Sequence, residues 1–123
     1  MSRIEQFQKF RTAINEKILS SDNLNIKRFF SLDGAAYKDG ALSAKTKELM
    51  GLAASMVLRC DDCITYHILQ CAEHGVNKDE FLEAFNVALI VGGSITIPHV
   101  RRAVEVLEEL EIHISGTNGA EQV

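Results

Sequence analysis

"LMGLAASMVLRCDDCITYHILQCAEHG", residues 49–75, reads as two helices folded against each other at a sharp apex. The run from Leu49 to Leu58 is apolar on almost every side, so the helix it forms belongs at the centre of the molecule. "CDDC" at residues 60–63 interrupts that run. Asp61 or Asp62 can cap the next helix, which continues to His74 and stops at Gly75, a residue suited to the left-handed position after a helix.

Outward from this hairpin the pattern stays helical. Upstream, "KDGALSAKTKEL" supplies a glycine turn and then Ser43 as an N-cap, opening the central helix at Ala44. Ile4, Phe7, Phe10, Ile14 and Ile18 recur at three and four residues as the stripe of an amphipathic helix ending near Ser20-Ser21. Asp22 or Asn23 can cap a second helix through about Tyr37. Downstream, Asn77 caps a helix striped by Phe81, Ala84, Phe85, Ala88 and Leu89 that stops at Gly92-Gly93. A last helix starts near Ile97-Pro98 and turns Val100, Ala103, Val104, Leu107 and Leu110 inward. The chain has one proline and no alternating β-branched run. The expected class is all-α, a bundle of about six helices in one domain over 1–114, with "SGTNGAEQV" at 115–123 as a loose tail.

The bulk numbers bound the possibilities. A chain of 123 residues, 46% apolar and 24% charged, suits one core and excludes wholesale disorder. A net charge of −4 and no basic cluster beyond Arg101-Arg102 leave no footprint for nucleic acid. No apolar run approaches the ~18–20 residues that span a bilayer, and the charged N-terminus has no signal-like core. A cytoplasmic protein without membrane or nucleic-acid partners is expected. The apolar face of the first helix and the 49–58 segment exceed what one small bundle buries, which points to a homo-oligomer.

Chemistry concentrates at the apex. Three cysteines in a reducing compartment speak against a structural staple. Zinc would want four Cys/His ligands, and no second CxxC or HxxxH completes a set, although His67, His74, His99 and Cys71 could in principle be recruited. Redox chemistry needs less: Cys60 and Cys63 lie one helical turn apart, close enough for a disulfide. A helix N-terminus favours the thiolate. His67 stands four residues after Cys63 on the same face, so it can act as base or charge partner for that thiol. Asp61 and Asp62 oppose the effect and should raise the pKa of Cys60, making Cys63 the better nucleophile and Cys60 its disulfide partner.

Outside the pair, Cys71 is expected to be a core residue and His74 a C-terminal capping residue. His99 is expected at a surface or interface, and Tyr66 in packing beside the site, with lining of the pocket as the alternative for each. No metal and no cofactor are expected.

Glu48, Cys60, Cys63 and His67 together form Glu-x11-Cys-x2-Cys-x3-His, which resembles the alkyl hydroperoxidase D-like proteins of the carboxymuconolactone decarboxylase superfamily. The resemblance runs from Lys45 to Ala103, roughly half the chain. It implies an all-α fold assembled into trimers or hexamers and a thiol-dependent peroxidase or disulfide reductase. His67 and Glu48 would relay protons to Cys63 and Cys60. The substrate would be a small hydroperoxide or disulfide, and a lipoyl-protein or thioredoxin-like dithiol would supply electrons. Some members carry histidine directly before the second cysteine, where this chain has Asp62. Two other functions stay open: the decarboxylase that names the superfamily, and a non-catalytic redox sensor. A straight helix from 48 to 60 would put Glu48 ~18 Å below the apex and His67 ~9 Å below it, so an indirect path from Glu48 to His67 or Cys63 is expected.

Overall fold

The computed structural model describes residues 1–116. Of the tail expected over 115–123, the part from residue 117 on lies outside the described residues. Six α-helices follow in order: α1 Arg3–Leu19, α2 Leu24–Ala36, α3 Ala44–Val57, α4 Asp61–Glu73, α5 Lys78–Gly92 and α6 Ile97–Glu109. A 3₁₀ turn, Ser94–Thr96, precedes α6. No strand occurs among the described residues.

Local chemistry explains the starts. Ser2, Asn23, Ser43 and Asn77 cap α1, α2, α3 and α5, each side chain accepting a backbone N–H three residues on. Asn77 and Glu80 form a reciprocal capping box. α4 departs from expectation. Its cap is Cys60, not Asp61 or Asp62, and the cysteine sulfur accepts the N–H of Cys63 at 3.3 Å. Both aspartates are already helical and fill the first turn, where their charge suits the positive end of the helix dipole.

The apex forms because α3 stops early. Arg59 takes the left-handed conformation at φ 60°, its N–H donates to Met56 O, and the N–H of Cys60 reaches back to Ser55 O. This is a Schellman ending built on an arginine, at a conformational cost of ~1–2 kcal/mol relative to glycine. Cys60 therefore closes α3 and opens α4.

α3 packs against α4 and α5, and α4 packs against α6. Leu52, Met56, Ile64, Ile68, Phe81, Phe85, Val106 and Leu107 fill the space between them and are essentially buried. Truncating any of the larger ones to alanine would cost about 2–5 kcal/mol. α3 is central, as its composition implies, yet Met50 and Leu58 remain 55% and 78% exposed.

The apolar stripe of α1 is not a core stripe. Neither α1 nor α2 buries a residue, and Phe10 is 67% exposed. α1 lies across the outside, touching α2, α4 and α6 only lightly. Its first turn is pinned by Glu109 of α6, whose carboxylate accepts the N–H of Arg3 at 3.0 Å and of Ile4 at 2.9 Å. A carboxylate on the free amides of a helix start satisfies groups that otherwise depend on water.

Candidate functional site

Cys60 and Cys63 are joined as a disulfide with Cα atoms 5.3 Å apart, within the range that such bonds span. Cys63 is exposed and opens onto a cavity of about 630 Å³. His67, one turn further along α4, lines the same cavity.

Beneath it, His67 and Glu48 form a buried pair. The Nδ1 of His67 donates to Oε1 of Glu48 at 2.8 Å, and the two residues are only 8% and 3% exposed. The indirect path expected between them is corrected by this direct bond. α3 ends at Val57 rather than continuing to residue 60, which removes part of the axial offset, and the two side chains span the rest. Gly51, one turn after Glu48, makes the approach possible: a Cβ there would meet His67 Cε1 at 2.7 Å, His67 Nε2 at 2.8 Å and Tyr37 Oη at 2.9 Å. His67 lies in the space that a side chain would take.

Binding Nδ1 to a carboxylate fixes the tautomer and leaves Nε2 as the acceptor. Tyr37, the residue closing α2, faces that nitrogen with its hydroxyl at 3.4 Å. Burial, with the charges of Asp33 and Glu48, raises the Tyr37 pKa, so the phenol keeps its proton as a donor. Nothing in the sequence pattern signals Tyr37, because it enters from a separate helix end. Gly51 did carry a signal, since glycine inside a helix costs ~1 kcal/mol relative to alanine unless close approach requires it.

The outer wall of the cavity comes from α1. Phe7, Phe10, Ile14 and Ile18 supply apolar lining to the cavity that Cys63 and His67 also line. Tyr66 also lines it, edge-on to His67 with ring centroids 5.3 Å apart, and the Arg11 guanidinium stacks 4.6 Å above the Tyr66 ring.

Of the two aspartates expected to weigh on Cys60, Asp61 is held by α6. His99 Nδ1 donates to Oδ1 at 2.7 Å and Arg102 Nη1 to Oδ2 at 3.3 Å. His99 is thus tied to the first turn of α4, half-buried where α6 meets that helix.

Cys71 and His74 take the structural places expected of them. His74 closes α4 and its Nδ1 donates to Gln70 O at 2.8 Å. Cys71 is fully buried and unpaired, and burial above all pushes its thiol up to about 12 from 9.0. A raised native pKa keeps this thiol protonated: its contribution to stability is complete below about pH 9 and is lost as the pH climbs toward 12. At pH 8, alkylation of the reduced native protein should therefore modify two thiols, with the third reacting only after denaturant is added. Mass spectrometry counts them.

The sequence profile of the carboxymuconolactone decarboxylase family matches residues 24–106, which covers every residue of the hairpin and leaves α1 outside. The chain belongs to this family. Two crystal structures of one Thermotoga maritima protein are similar to it, at 58% and 57% identity with TM-scores of 0.84 and 0.82. They cover 87% and 86% of this chain, and 94% and 90% of their own. That Thermotoga protein is a carboxymuconolactone decarboxylase family protein possibly involved in antioxidative response. A carboxymuconolactone decarboxylase family protein from Legionella pneumophila is 30% identical with a TM-score of 0.82, over 89% of this chain and 97% of its own. A protein from the cox locus of Paracoccus denitrificans, itself uncharacterized, is 30% identical over 68% of this chain and 75% of its own. The family includes enzymes. No helix among the described residues is long and apolar enough to cross a membrane.

Proposed function

We propose that this protein is a thiol-dependent peroxidase or disulfide reductase in which Cys63 attacks, Cys60 resolves, and His67 with Glu48 moves the proton. One observation carries the reading: Cys63 sits in a disulfide at a helix N-terminus and opens onto a cavity shared with His67, whose second nitrogen is held by buried Glu48.

The steps balance as follows. His67 takes the Cys63 proton through the shared cavity, with water as carrier. The thiolate attacks the outer oxygen of a hydroperoxide, the O–O bond breaks, and the leaving oxygen takes that proton to depart as alcohol or water. Cys63 is now a sulfenic acid. The Cys60 thiol displaces its hydroxyl as water and forms the disulfide, which an external dithiol of the lipoyl or thioredoxin kind reduces by exchange, itself becoming oxidised. With a disulfide in place of the peroxide, the same pair works as a reductase.

The test is turnover of the reduced protein with hydroperoxides and small disulfides, using a panel of dithiol donors. Sustained consumption of dithiol supports the reading. Loss of two thiols without turnover favours a redox sensor. Unreactive thiols together with decarboxylation of a muconolactone would overturn it.

The working form in this reading is a homo-oligomer, a trimer or hexamer, in a reducing compartment such as the cytoplasm. Its support is the apolar surface of α2 and α5, where Phe29, Leu32, Ile90 and Val91 are each at least 67% exposed. Light scattering coupled to size exclusion should return three or six times the chain mass, and a monomer at micromolar concentration would count against this part.

A further inference from the structure

Asp61 stands between the two cysteines, and α6 reaches over to bind both of its oxygens. His99 and Arg102 are one turn apart on α6, so they face the same way and grip one carboxylate from above. The grip is partly sheltered: the His99 side chain is 16% exposed and that of Asp61 37%. Asp62, its neighbour, has no ion-pair partner among the described residues.

A bare carboxylate next to either cysteine disfavours a thiolate, and the N-terminal dipole of α4 favours one. The balance depends on how much of the Asp61 charge is left unpaired. We propose that His99 and Arg102 are positioning residues that mask the Asp61 carboxylate and hold the first turn of α4, thereby setting the pH at which Cys63 becomes a nucleophile. The proposal deepens the redox reading and rests on it for its biological meaning, though its measurement does not. The same thiol also faces Asp62 on its own helix, Arg3 and Arg11 from α1, and Asp33 from α2, which all line the cavity, while Glu48 of α3 faces it only through His67. Arg3 is paired with Glu105, and these groups stay constant in the comparison below.

The experiment follows the rate of Cys63 alkylation by iodoacetamide against pH in a C60S background. Serine preserves the cap on α4, and Cys71 is silent while buried. H99Q should move the midpoint up by about half a pH unit, with R102Q moving it the same way. D61N should move it down, and adding H99Q to D61N should produce no further shift, since the mask then has nothing to cover. Should H99Q fail to fold, R102Q carries the test, because that side chain is 45% exposed. An unchanged midpoint in the folded variants overturns the proposal, as does a His99 effect that persists without Asp61.

Peroxide turnover is read separately in the two-cysteine proteins. Shifted midpoints without turnover leave the charge mask standing and remove the peroxidase. Turnover with fixed midpoints does the reverse.

Discussion

Serine at position 63 is expected to abolish steady-state peroxide turnover, a loss on the order of a thousandfold or more, because the attacking sulfur is gone and Cys60 alone cannot close the disulfide that an external dithiol reduces. Cys71 cannot substitute: it is fully buried, and that burial raises its thiol pKa to about 12, so it is protonated at neutral pH. Serine at position 60 should behave differently. Cys63 still opens onto the cavity, so one equivalent of peroxide per chain should be consumed before the reaction stalls at the sulfenic acid. Rapid mixing would show the burst, and trapping with a sulfenic-acid reagent followed by mass spectrometry would locate it. A burst in the Cys63 variant and none in the Cys60 variant would exchange the two roles.

Alanine at position 51 is the second large effect, expected in stability and turnover together. The new methyl group would come within 2.7 Å of His67 and 2.9 Å of Tyr37, so either α3 and α4 part or the imidazole leaves Glu48. Overpacking of this kind costs about 1–3 kcal/mol. Separating the buried pair adds the cost of leaving a carboxyl without its partner, about 1–3 kcal/mol or more. Alanine's better helix propensity returns about 1 kcal/mol. A net loss of about 1–5 kcal/mol should appear in urea unfolding, accompanied by a fall in turnover. A G51A protein as stable and as active as the parent would mean that His67 has room to spare and that its bond to Glu48 does not govern activity.

Much of the fold was legible because the helix signals are local. Ser43 and Asn77 cap where the pattern puts them, Gly75 adopts the left-handed conformation at φ 78°, and the spacing of Phe81, Phe85 and Ala88 follows the core. The misread pieces depend on tertiary partners. An apolar stripe says that one face of α1 avoids water. It does not say whether that face meets a core or the wall of a cavity.

The site divides along the same line. Cys60, Cys63, His67 and Glu48 stand out by spacing, and the structure joins them as two pairs, the cysteines at the apex and His67 with Glu48 between the helices, with Cys63 and His67 lining one cavity. Tyr37 and His99 approach from α2 and α6, through contacts 30 and 38 residues apart in the chain that no periodicity records. The direct Glu48–His67 bond was missed because a straight helix was assumed where Arg59 turns the chain.

α1 lies outside the stretch that matches the family, yet it supplies apolar lining to the cavity onto which Cys63 opens. Much of the cavity's apolar lining and the sulfur pair beside it are consequently encoded in different parts of the chain. A substitution on the cavity side of α1 therefore changes the apolar lining beside Cys63 while every residue of the hairpin keeps its partners.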